Sequence, residues 1–224
     1  EQMHADLAPY ASGVASQVTV FANTNAINCF LPEDLGDFLR DHPQVRVSLE
    51  EQPSPAIVQA VAAGQVDIGV VAAESGPGSL ETRPYRQDRL VLVVPSGHAL
   101  AGQAAASFAD VLGEPFVCLH AGSAIHTFMM NHAARLGGRL DVRIQVRSFN
   151  AVCRMVAAGV GIGMVPRSSV AAVDGLKTVE ITDPWAPRDL QLCTRSRAAL
   201  SPAAAALFDH LAEKGRAQAL TADA

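Results

Sequence analysis

Apolar and polar positions along the chain follow two periods that take turns. QVTVFA at 17–22 alternates with period two, as a half-buried strand does. After the polar step NTNAIN, Leu31, Leu35, Phe38 and Leu39 recur at helical spacing. That helix is expected to stop near His42-Pro43, because proline pushes the residue before it out of the helical region. VRVSLE (45–50) is the next strand. Ser54-Pro55 predicts a helix start, with serine as N-cap and proline in the first turn. The helix AIVQAVAA ends at Gly64, and DIGVVAA (67–73) is a buried strand. Further strands are expected at 89–95, 115–120, 141–146, 161–165 and 189–195. Helices are expected at FADVLG, about 124–136, 149–158, and from Ser201-Pro202 to about 214. Strand–helix alternation of this kind predicts βαβ units in an α/β fold with a mainly parallel sheet.

Two stretches of this pattern are near-copies. VAAGQVDIGVV (61–71) and VAAGVGIGMVP (156–166) each close a helix that opens at a serine, Ser54 in one and Ser148 in the other. Similarity at so long a spacing points to two related lobes rather than a short solenoid repeat. The order in both is helix, glycine, strand. A phosphate-cradling loop needs the reverse, because the N–H donors sit at the start of the helix that follows the glycines. GVGIG also lacks the GxGxxG spacing. These glycines turn the chain.

Composition narrows the function classes. The 224 residues are 49% hydrophobic and 17% charged, a globular profile, with 22 acidic against 17 basic residues and a net charge of −5. That balance, with no Lys/Arg run, argues against direct binding of nucleic acid. No stretch approaches the roughly 20 apolar residues that span a bilayer. The start, EQMHADLAPYASGVASQ, has no apolar core of a secretory signal. Cys29, Cys118, Cys153 and Cys193 lie far apart without a CxxC pair, which suits reduced, mostly buried thiols in a cytoplasmic protein. No cofactor and no metal site are expected. His120, His126 and His132 are spaced by six residues, not the four that put two ligands on one helical face. Glu50-Glu51 and Glu33-Asp34 read as solvated element ends, and Met129-Met130 as core filling.

In open parallel sheets, ligands bind beyond the carboxyl ends of the strands, where helices begin. The steps from strand to helix are Asn23-Thr24-Asn25, Ser54, His120 through Ser123, and Ser148-Phe149-Asn150. Small hydrogen-bonding side chains dominate them, and facing one another across a cleft they would suit a small carboxylate or other anion. Each is also an ordinary N-cap type. The candidate effector-binding set is therefore Asn23, Thr24, Asn25, Ser54, His120, Ser123, Ser148, Phe149 and Asn150. His120 and His126 could tune such a cleft with pH. No catalytic residue is nominated.

FLPEDLGDFLRDHPQVRVSLEEQPSPAIVQAVAAGQVDIGVV resembles the first lobe of the effector-binding domain of LysR-type transcriptional regulators. Leu31-Pro32, His42-Pro43, Val45–Leu49 and Gly64–Gly69 carry the likeness. Val156, Gly159, Gly161, Ile162 and Pro166 are similar to that family's second signature, and VLVVPSGHAL (91–100) to its crossover segment. The resemblance implies a two-lobed, type 2 periplasmic-binding-protein-like fold with two crossover hinge strands. Residues 17–90 plus 190–216 would form lobe I, 91–189 lobe II, 1–16 a linker-helix stub and 217–224 a tail. It also implies a small anionic or polar effector between the lobes, a homodimer of this domain and a tetramer of the full-length protein. DNA would be contacted only through a winged helix-turn-helix that would precede Glu1. Asn25 departs from the Ser or Thr of many members, so effector class does not carry across. The competing expectations are an extracytoplasmic solute receptor of a transporter, which shares the fold, and an enzyme on the same scaffold.

Overall fold

Strands and helices alternate through most of residues 16–222, the part of the chain that the computed structural model describes. The expected linker stub at 1–16 lies almost wholly outside the described residues. The first elements are β1 (Gln17–Ala22), α1 (Thr24–Cys29), α2 (Leu31–Asp41), β2 (Arg46–Glu51), α3 (Ser54–Ala62), β3 (Ile68–Ala72) and β4 (Glu81–Pro95). Then come β5 (Ala105–Ala106), α4 (Phe108–Val111), β6 (Pro115–Leu119), α5 (Ala124–Arg135), β7 (Asp141–Val146) and α6 (Phe149–Ala157). The chain continues with β8 (Ile162–Pro166), β9 (Leu176–Ile181), β10 (Pro187–Thr194) and α7 (Pro202–Ala222). Two compact units result. Unit 1 runs to Gln87 and resumes at Asp189; unit 2 is Asp88–Arg188.

In unit 1, β1 lies between β2 and β3, parallel to both, and β10 joins β3 antiparallel. One core gathers Val18, Val20, Leu31, Leu35, Phe38, Val70, Leu207, Phe208 and Leu211. A second gathers Ile57, Val61, Val71 and Cys193. Because consecutive residues of β3 feed these two separate cores, IGVVA is a continuous apolar run rather than an alternating one. The α2 stripe predicted from Leu31, Leu35 and Phe38 is buried as expected.

Unit 2 mixes directions. Strand β6 is parallel to β7 and β8, β5 is parallel to β9, and β4 runs antiparallel to β8 and β9. Its core includes Val91, Val93, Phe108, Phe116, Val117, Phe149, Val152, Val156 and Val165.

The near-copied segments build the same joint in each unit. Gly64 (φ 71°) and Gly159 (φ 80°) turn the chain out of α3 and α6 with left-handed backbone that other residues resist. A Cβ on Gly69 would stand 2.6 Å from Ile57 Cγ2, and one on Gly163 2.6 Å from Val152 Cγ1. Glycine at these strand positions lets each helix press on its strand.

The structure differs from the sequence reading at several places. NTNAIN contains a helix, α1, which the Asn23 side chain starts by accepting from Ala26 N–H at 3.0 Å. Ser54 does not cap α3: the cap is Pro53, and the serine hydroxyl accepts from Ala72 N–H at 3.1 Å instead. Strand β4 begins at Glu81, well before residue 89. Its polar half is anchored where Tyr85 donates to Asp34 at 2.6 Å and Arg86 pairs with the same carboxylate at 2.6 Å, all nearly buried. Strands β5 and β9 were not expected, Asp34 is buried rather than part of a solvated helix end, and Met130 is exposed rather than core filling. Helix α7 runs on to Ala222.

Candidate functional site

The parallel strands of unit 1 end level with one another, with Ala22 paired to Glu51 and to Val70. Asn23 leaves this edge with its N–H on Val70 O at 3.1 Å and its side chain capping α1. The next residue, Thr24, donates its hydroxyl to Glu51 Oε1 at 2.7 Å. Ser54 is buried and accepts from Ala72, the last residue of β3. Asn23, Thr24 and Ser54 are thus brought to one sheet edge, as their place after strands predicts. Asn25 lies half-buried in the first turn of α1. What sequence reasoning missed is Glu51. It is the last residue of β2, and its carboxylate accepts from the Thr24 hydroxyl, whose oxygen can still accept from a polar ligand.

In unit 2, β6 and β7 end together at Leu119 and Val146. His120 N–H donates to Val146 O at 2.9 Å. Ser123 closes the start of α5 twice over: its hydroxyl donates to His120 O at 2.8 Å and accepts from His126 N–H at 3.3 Å. Ser148 caps α6 by accepting from Ala151 N–H at 3.2 Å. Phe149 is buried in the core, and Asn150 beside it is exposed. His120 is exposed as well. Two residues outside the predicted set complete this edge. The amide nitrogen of Gln145, at the end of β7, lies 3.2 Å from Nε2 of His126 in the first turn of α5. A signal for Gln145 existed, since it sits on the polar face of DVRIQV one residue before the strand ends.

Electrostatics separate the two edges. Partial burial, and then repulsion from His120, holds His126 below the usual histidine range. At the other edge Glu50 and Glu51 are exposed carboxylates. Burial pushes the Cys118 and Cys193 thiols up to about 11 and raises Cys153 as well, so these three are protonated and inert near neutrality. Among the described residues no three His, Cys, Asp or Glu side chains gather as a metal site would require, and no helix is long and apolar enough to cross a membrane.

Unit 1 also holds two concavities. One of about 200 Å³ is lined by Tyr85, Arg86, Gln87, Asp189, Gln191 and Gln218 among others. One of about 60 Å³ is lined by Gly64, Asp67, Thr194 and Arg195 among others. No predicted site residue lines either.

Comparison with known proteins fits this architecture. Residues 11–216 match the family described as the LysR substrate binding domain. The uncharacterized HTH-type transcriptional regulator YwbI of Bacillus subtilis (strain 168) is 28% identical over 183 residues, covering 81% of this chain and 61% of that protein. The chain therefore spans about three fifths of that relative's length. The Synechocystis PCC6803 CcmR regulatory domain, solved in complex with 2-PG, superposes with a TM-score of 0.76 at 21% identity, covering 89% of this chain and 97% of that one. The BenM effector binding domain, solved with its effector benzoate, superposes with a TM-score of 0.72 at 20% identity, covering 92% and 95%. Both share the fold of two α/β units built around strand-to-helix steps. With a family match over nearly its whole length, the chain belongs to the LysR substrate binding domain family.

Proposed function

We propose that this chain is the ligand-sensing part of a cytoplasmic LysR-type transcriptional regulator and binds a small polar or anionic effector. The family match over residues 11–216 carries the reading. Its support in the structure is the set of polar side chains at the carboxyl ends of parallel strands in each unit, at Thr24, Asn25 and Ser54 and at His120 and Asn150. The solute-receptor alternative is not favoured, since relatives that align with most of the chain are named as transcriptional regulators. Effector binding drives regulation only through a difference in affinity between two conformations. That difference would alter the geometry of a homodimer of this domain and of a tetramer of the whole regulator, which would reach DNA through a separate N-terminal domain.

A thermal-shift screen of small organic acids on the purified chain tests this, because a ligand that binds only the folded state raises the midpoint by mass action. For the ligand found, T24A, N25A, S54A and N150A are expected to weaken binding by about five- to tenfold while leaving the fold intact, since each removes about one hydrogen bond of 1–1.5 kcal/mol. Unchanged calorimetric affinity in all four variants would show that the ligand sits elsewhere.

A further inference from the structure

We propose that an anionic group of the ligand, carboxylate or phosphate, is held at the end of β7 in unit 2 by the imidazoles of His120 and His126 together with the Gln145 amide. The proposal rests on the effector reading above and names the chemistry of that ligand.

Three elements converge at this strand end. His120, just after β6, is fixed by its N–H on Val146 O at 2.9 Å. His126, from the first turn of α5, meets the side chain of Gln145 at 3.2 Å, one residue before Val146. Ser123 takes one backbone donor at the start of α5, the His126 N–H. The imidazole and amide side chains are what this strand end adds to an ordinary capped helix.

The surrounding charge favours the same guest. From Pro115 to Val173 the chain contains six arginines and one acidic residue, Asp141. Asp141 lies four residues before Gln145 along β7, roughly 13 Å away at the usual rise of a strand. Arg143 and Arg147 flank Gln145 in sequence, and both are exposed. Helix α5 has no acidic residue in its first turn, and its last turn adds His132 and Arg135.

Partial burial, and then repulsion from a charged His120, disfavours the charged form of His126 when nothing is bound. An anion beside them cancels that repulsion, so anion binding and protonation strengthen each other. Gln145 suits either state. Its N–H donates to Nε2 of the neutral ring, and its carbonyl, after the amide turns, accepts from the protonated one.

The test is a histidine Cε1–H NMR titration of the 224-residue chain with benzoate and, separately, with sulfate standing in for phosphate. Neither anion changes charge between pH 6.0 and pH 8.0. The His120 and His126 resonances should saturate together, at least tenfold tighter at pH 6.0, while those of His42, His98, His132 and His210 stay in place. Response to benzoate alone identifies a carboxylate ligand, and response to sulfate alone a phosphate-bearing one. H126Q should weaken the response of His120 at least tenfold. Q145E, a surface change that supplies an internal carboxylate, should do the same and raise the titration midpoint of His126. All histidines moving alike, or affinity unchanged in both variants, overturns the proposal. A ligand from the thermal-shift screen that binds H126Q and Q145E as tightly as the parent would sink this seat and leave the effector reading standing. Anions that titrate the pair, with no organic acid raising the midpoint, would leave the seat and sink the effector reading.

Discussion

In unit 1, α3 presses on β3 over Gly69; in unit 2, α6 presses on β8 over Gly163. The two joints use near-copies of one eleven-residue stretch, yet the sheet edges beside them differ in chemistry. Thr24 and Glu51 leave a carboxylate at the edge of unit 1, while two histidines and an amide meet at the edge of unit 2. The whole units follow suit. Unit 1 contains 15 acidic and 8 basic residues, and unit 2 contains 7 acidic and 9 basic. Shared residues are the buried ones that set how a helix meets a strand. Residues that give each edge its chemistry lie ten or more residues before the copied stretch and differ freely.

The comparison breaks first where charge is buried in one unit and exposed in the other. Arg86 and Asp34 are 11% and 5% exposed, whereas Arg89 and Glu180 in unit 2 are 41% and 37% exposed. R86M should cost about 3–5 kcal/mol, because it leaves a buried carboxylate with only the Tyr85 hydroxyl. R89M should cost about 1 kcal/mol or less. Urea unfolding of both variants measures the gap, and equal losses would contradict the distinction.

Next in size are the two joints. G69V and G163V each force a side chain into a space already filled, so each should cost about 1–3 kcal/mol by the same measurement. If one were tolerated and the other not, the joints would not be equivalent.

The smallest effect is in pH. The folded-state pKa of His126 lies below its unfolded value of 6.5, so between the two the unfolded chain binds more protons and stability rises with pH. The contribution is fully present above about pH 6.5 and is lost as pH falls towards the folded value. Asp37 in unit 1, held below the carboxylate range by Lys214, acts in a separate window. Its contribution is present above 3.8 and disappears on further acidification. H126Q should remove the dependence near pH 6.5 and leave the acid arm, as read from thermal midpoints against pH.

Helices α2, α5 and α6 and strands β1 and β7 were legible because their apolar positions repeat with one period over enough residues to count, and β3 and β8 because each is a short apolar run following a helix-ending glycine. The elements missed lack that. Helix α1 has six residues and a single buried side chain, Ala26. In β9 the apolar Leu176, Val179 and Ile181 do not alternate strictly. The polar half of β4 is held by one tyrosine and one ion pair to α2, contacts that span some fifty residues. The site was legible to the same depth. Asn23, Ser123 and Ser148 are caps, as their residue types suggest, and capping is where their oxygens are engaged. Thr24 with Glu51 and His126 with Gln145 are contacts between elements 27 and 19 residues apart, which no local pattern announces.

Amide NMR of the chain, titrated with the ligand that most raises its thermal midpoint, asks directly whether the uncopied strand ends are the binding surface. The perturbed residues should be 23–25 and 51–54 in unit 1 and 120–126 and 145–150 in unit 2. Perturbation centred instead on Tyr85, Arg86, Gln87, Asp189 and Gln218, around the 200 Å³ concavity of unit 1, would contradict it.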